Sequence, residues 1–112
     1  MTSLSTHVLD TAHGRPAAGM GVRLWRDGRL LFAGETNADG RCPALTEGAD
    51  YAPGGYRIEF DVAAYFRAQG VALPDPPFLD VVAIAFGMAE ADGHYHVPLL
   101  VTPFGYSTYR GS

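Results

Sequence analysis

The stretch Tyr56-Arg57-Ile58-Glu59-Phe60-Asp61 alternates without a break. Tyr56, Ile58 and Phe60 point one way and Arg57 and Glu59 the other, the period-two pattern of a half-buried strand. Working backward, residues 21–26 (GVRLWR) and 29–36 (RLLFAGET) flank Asp27-Gly28. That dipeptide tolerates positive φ and closes a tight hairpin. Residues 5–10 (STHVLD) read as an earlier strand, broken by Gly14-Arg15-Pro16. Asn37-Ala38-Asp39-Gly40 is a further turn, predicted to feed a short strand near residues 41–45, and Pro53-Gly54-Gly55 punctuates before the alternating run.

Working forward, residues 61–69 (DVAAYFRAQ) change period. Asp61 can cap, Val62, Tyr65 and Phe66 fall at helical spacing, and Gly70 can stop the turn, which predicts one short helix. Pro74, Pro76 and Pro77 stiffen the next loop. Residues 79–88 are apolar on both faces and read as a central, buried strand. Ala91-Asp92-Gly93 turns the chain into a strand over 94–102, and residues 105–110 (GYSTYR) form the last one. About eight short strands and one helix predict an all-β sandwich of two sheets.

Composition narrows the class. A chain of 112 residues has room for one domain and a sizeable core. Its 14 Gly and 8 Pro suit a fold made of many turns. The net charge of −4 argues against nucleic acid or an anionic membrane as partner. All eight cations are Arg, so Lys-dependent Schiff-base chemistry and a Walker-type phosphate loop are excluded. Cys42 is the only cysteine and cannot form an internal disulfide. Following Arg41, it is open to a lowered thiol pKa and a nucleophilic role. The opening MTSLSTHVLD lacks the basic and apolar regions of an export leader, so a cytoplasmic location is expected.

Imidazoles are the chemistry-bearing groups. His94 and His96, two apart on a strand, share a face, and His7 sits mid-strand near the N-terminus. Three imidazoles with an open position could hold zinc, although no Cys or carboxylate pair completes a set. His13, in a loop, reads as exposed. His94 reads as standing behind His96 or on the surface, and Trp25 as packing. No Gly-x-Ser-x-Gly turn marks a serine nucleophile.

Four segments carry a resemblance. They are Leu4-Ser5-Thr6-His7-Val8-Leu9-Asp10 with Gly14-Arg15-Pro16-Ala17, then Thr36-Asn37-Ala38-Asp39-Gly40-Arg41, then His94-Tyr95-His96-Val97-Pro98-Leu99-Leu100, and finally Tyr106-Ser107-Thr108-Tyr109-Arg110-Gly111-Ser112. Together they span almost the whole chain, which resembles the transthyretin family. The tetrapeptide Tyr109-Arg110-Gly111-Ser112 is similar to that of the family's 5-hydroxyisourate hydrolases rather than its hormone carriers. The resemblance implies a sandwich of two four-stranded sheets with one short helix, assembled as a homotetramer with active sites between dimers. It implies hydrolysis of 5-hydroxyisourate to 2-oxo-4-hydroxy-4-carboxy-5-ureidoimidazoline, without metal or cofactor. Family site residues fall on His7, Arg41, His96 and on Tyr109, Arg110, Gly111 and Ser112.

The chemistry of these groups agrees with that implication. Opening a cyclic amide needs a base for water, donors for the developing oxyanion and an acid for the leaving nitrogen. His7 and His96 suit the proton work, because imidazole titrates near neutrality. Arg41 offers a fixed charge and a planar donor fork, and would keep a neighbouring imidazole neutral. Ser112, with its hydroxyl and carboxylate, is expected to position substrate or water. Two other classes compete: a carrier of small apolar ligands on the same fold, and an interaction module without a site. The second leaves the imidazoles and the terminal motif unexplained.

Overall fold

A computed structural model describes residues 1–111. Its strands are β1 (Thr2–Asp10), β2 (Arg15–Pro16), β3 (Gly21–Arg26), β4 (Arg29–Glu35), β5 (Gly54–Asp61), β6 (Val81–Met88), β7 (Gly93–Thr102) and β8 (Gly105–Thr108). They form two four-stranded sheets, in the orders β2-β1-β7-β8 and β4-β3-β5-β6. The expected helix is α2 (Val62–Ala68), and a single further helical turn is α1 (Pro43–Thr46). No helix is long and apolar enough to cross a membrane, among the described residues.

Alternation builds the core. In β1 every second residue, Thr2, Leu4, Thr6, Val8 and Asp10, is buried, while Ser3, Ser5, His7 and Leu9 are half-buried on the outer face. Leu4 pairs with Tyr95 and Val8 with Leu99 of β7, and Val22, Leu24, Ile58 and Phe60 of the facing sheet complete the cluster. Two buried threonines are satisfied locally, Thr6 Oγ1 donating to the Val97 carbonyl and Thr36 Oγ1 to that of Ala17. No buried side-chain polar atom is left without a partner, among the described residues.

Three expectations need correction. The short strand expected near 41–45 is absent: only Arg41 makes a bridge, to His7, and the chain then turns into α1. Pro43 lacks the N–H a ladder needs but suits the first helical turn. The run expected to be a central strand is an edge strand, because β6 pairs only with β5. Its small residues Ala83, Ala85 and Gly87 are exposed, and Val82 and Met88 are buried on the other side. Arg15 and Pro16, taken as a break, add a two-residue edge strand to β1, where proline's missing donor costs nothing.

Asp61 stands at the N-cap of α2 but makes no capping bond. Its carboxylate instead takes a two-pronged interaction from Arg23, at 2.8 and 2.9 Å. The anchor of α2 lies elsewhere. Tyr65 Oη donates to Asp10 Oδ2 at 2.8 Å, and His13 adds its backbone N–H and its Nδ1 at 3.0 and 2.6 Å. His13 is exposed, as expected, yet one ring nitrogen is committed to this carboxylate. Burial pushes the Asp10 carboxyl up, but the hydrogen bonds from His13 and Tyr65 outweigh it and hold it below the ordinary value of 3.8.

Asp10→Asn is therefore expected to lower unfolding free energy by about 1–3 kcal/mol at neutral pH, measured by urea denaturation. A carboxylate with a depressed folded pKa stabilises above its unfolded value and loses that contribution as pH falls through the folded one. The gap between the two proteins should close below pH 3.8; a gap independent of pH would contradict this account.

Candidate active site

The outer face of β1 and β7 carries the imidazoles. These two strands run parallel in unbroken register, which sets Ser3 beside His94, Ser5 beside His96 and His7 beside Pro98. His7 and His96 are half-buried and His94 is exposed.

Arg41 arrives from the other side of β1. Val8 N–H donates to the Gly40 carbonyl at 2.8 Å, and Arg41 bridges to His7. Gly40 permits this at a φ of +75°, and a Cβ there would strike the Val8 carbonyl oxygen. The Asn37 side chain holds the turn, accepting from the Asp39 and Arg41 backbone N–H groups at 3.0 Å each. The guanidinium itself is exposed.

The C-terminal segment supplies the third side. Gly111 N–H donates to the His96 carbonyl at 2.7 Å, in the register that already pairs β7 with β8. A Cβ on Gly111 would run into the His96 ring, so glycine lets the chain lie flat against the imidazole. Tyr109 and Arg110, between these pairings, stand opposite Pro98 and Val97 but belong to no strand. Arg110 stacks over the inward-facing Tyr95, 4.1 Å from the ring centroid, with Glu90 3.8 Å from its Nη2. Both residues line a cavity of about 240 Å³ at the open edge of the sandwich, with Ile84, Phe86 and Val97 among its walls. The single chain thus gathers His7, Arg41, His96 and Gly111, and turns Tyr109 and Arg110 to the neighbouring edge. Ser112 lies outside the described residues.

Electrostatics distinguishes one ring. Burial lowers the pKa of His96 below 6.5, and the charge of Arg41 lowers it further, with smaller contributions from His7 and His94. His96 is therefore neutral at neutral pH and available as a base. Cys42 goes the other way: burial pushes its thiol up to about 11, which removes the nucleophile left open by its neighbour Arg41. No group of three or more His, Cys, Asp or Glu is arranged to hold a metal ion, among the described residues. Two residues near His96 escaped sequence reasoning, Ser3 and Ser5. Their hydroxyls contact His94 and His96, and only the parallel pairing of distant strands makes that visible.

The model of the HIUase/Transthyretin family matches residues 4–111. The chain belongs to that family. Among members of the HIUase/Transthyretin family, the 5-hydroxyisourate hydrolase of Caulobacter vibrioides is 55% identical over 116 residues, covering 100% of both chains. The solved Klebsiella pneumoniae 5-hydroxyisourate hydrolase superposes with a TM-score of 0.85 at 38% identity, covering 100% of this chain and 94% of that one. Sea bream transthyretin, solved in complex with thyroxine, gives 0.82 at 32% identity, covering 97% and 94%. The two-sheet architecture is thus common to hydrolases and a thyroxine-bound transthyretin, and the higher identities of these lie on the hydrolase side.

Nuclear magnetic resonance titration of the histidines should find the His96 midpoint below 6.5. Arg41→Gln should raise that midpoint. An unmoved His96 would remove Arg41 as a source of its low pKa.

Proposed function

We propose that this protein hydrolyses 5-hydroxyisourate to 2-oxo-4-hydroxy-4-carboxy-5-ureidoimidazoline, a step in urate degradation. The observation that carries this reading is the convergence of His7, Arg41 and His96 on one sheet face, in a chain 55% identical along its whole length to a 5-hydroxyisourate hydrolase.

Neutral His96 takes a proton from water, which attacks a ring carbonyl of the substrate. Arg41 orients the anionic or carbonyl edge of the ring and stabilises the oxyanion that develops. The C–N bond of the cyclic amide then breaks, and the proton passes to the leaving nitrogen, with His7 as its second carrier. Gly111 seats the C-terminal segment against His96, Tyr109 and Ser112 complete the substrate site from the same segment, and Arg110, expected there too, anchors that segment by its stack on Tyr95 on the other face of β7. The mechanism draws on no cofactor.

One hydrolase domain spans residues 1–112 in this reading, and it works as a homotetramer. An open sheet face supports that assembly: a concavity of about 540 Å³ is lined by residues such as Trp25, Arg57 and Phe86 of the other sheet. A second copy laid over β1 and β7 would exclude water from the imidazoles. In this reading the protein works in the cytoplasm. Cell fractionation that finds the protein outside the cytoplasm would overturn that last point. A carrier role is the weaker alternative, since a ligand-carrying face has no use for a cation beside a pair of imidazoles.

Ultraviolet absorbance of 5-hydroxyisourate, generated in place by urate oxidase, tests the reaction. The protein should speed loss of the intermediate, and His96→Ala should slow it by about 100-fold or more. A chelator should change nothing; activity lost with it would restore the zinc reading. A folded tetramer without effect on the decay would favour the carrier. A monomer by light scattering would overturn the assembly.

A further inference from the structure

On the outer face of β1 and β7, four side chains form an unbroken hydrogen-bonded row. Ser3 Oγ lies 2.5 Å from His94 Nδ1, His94 Nε2 lies 2.9 Å from Ser5 Oγ, and Ser5 Oγ lies 2.7 Å from His96 Nδ1. The row follows from strand register, which sets Ser3 beside His94 and Ser5 beside His96.

A hydroxyl has one proton to donate and two lone pairs to accept with. Ser5 touches two ring nitrogens, so it can donate to one ring only, and the other ring must supply its own N–H. With both rings neutral, His94 and His96 therefore share one tautomer. Either both carry hydrogen on Nδ1, and Ser5 donates to His94 and accepts from His96, or both carry it on Nε2, and the direction of the row reverses. Only the first state leaves a lone pair on His96 Nε2, the ring nitrogen without a hydrogen-bond partner among the described residues. An imidazole side chain in plain water favours hydrogen on Nε2, so a base at that atom needs an acceptor for Nδ1–H.

We propose that Ser5, with His94 taking its proton, is a positioning residue that holds His96 in the Nδ1–H tautomer and keeps Nε2 bare as the base. That the two rings share one tautomer follows from the row itself; the choice of Nδ1–H, and its catalytic use, rest on the hydrolase reading. Ser3 ends the row by accepting from His94 Nδ1–H. Its own proton faces solvent, so the row needs no further protein partner. Neither serine touches substrate, and their work is to decide which edge of the His96 ring carries hydrogen.

Histidine-labelled protein, read by long-range proton–nitrogen spectra above the His96 titration, tests this directly. His94 and His96 should both show protonated Nδ1 and bare Nε2. In Ser5→Ala, His96 should move to the Nε2–H tautomer, and kcat should fall about tenfold or more with KM changed less than about twofold. Ser5→Thr, which keeps the hydroxyl, should return the tautomer and most of the lost kcat. A wild-type His96 with hydrogen on Nε2, or a Ser5→Ala protein with an unchanged His96 tautomer, overturns the proposal. If His96 holds hydrogen on Nδ1 but the wild type does not hydrolyse 5-hydroxyisourate, the functional reading falls and the positioning role of Ser5 stands.

Discussion

The parallel pairing of β1 with β7 is the constraint from which the rest of the molecule follows. Nine consecutive residue pairs, Thr2 with Gly93 through Asp10 with Val101, join the two ends of the chain without a slip. A shift of one residue would turn Leu4 and Val8 to solvent and the imidazole face into the core. Burial of the inner row therefore fixes the register, and the register fixes which outer side chains meet. The position of Ser5 against His96 is a consequence of Leu4 and Val8 needing a core.

Backbone approaches then bring in the remaining groups. Gly40 lets the Asn37 turn close onto Val8, which delivers Arg41 beside His7. Gly111 does the same for the C-terminal segment against His96. Both contacts are made through main-chain hydrogen bonds, so the charge of Arg41 is brought in by structure formed before any substrate arrives. Preorganisation of this kind is what allows a fixed cation to lower an imidazole pKa and stabilise an oxyanion without reorganising at the moment of reaction.

How much of this the sequence made legible depends on range. Local period and turn chemistry revealed the hairpin around Asp27-Gly28, the alternation over 56–61 and the helix after Asp61, because those signals sit within a few residues. The position of a strand within its sheet is a long-range fact. Residues 79–88 looked central because apolar side chains occupy both faces, but Ala83, Ala85 and Gly87 are small enough to be left uncovered at an edge. Pro43 was the local clue that 41–45 could not continue as a strand. His7, Arg41 and His96 were recognisable by resemblance. That Arg110 stacks on Tyr95, on the opposite face of β7 from His96, was not recognisable, because it depends on the long-range register that sets Arg110 opposite Val97.

The same period-two geometry accounts for a family that holds both hydrolases and a thyroxine-binding relative on one architecture. In β1 and β7 the inner residues, among them Leu4, Val8, Val97 and Leu99, carry the packing, and the outer residues Ser3, Ser5, His7, His94 and His96 carry none of the apolar core. Substitution along the outer row changes chemistry at little cost in packing, since successive side chains on a strand point to opposite faces. Polar residues there need each other rather than the core. A hydroxyl is useful only where a ring accepts its proton, and a neutral ring is a base only where a hydroxyl or carbonyl takes its other hydrogen. The outer face is therefore best read as a linked set, in which Ser5 and His94 raise what His96 can do as a base rather than acting alone.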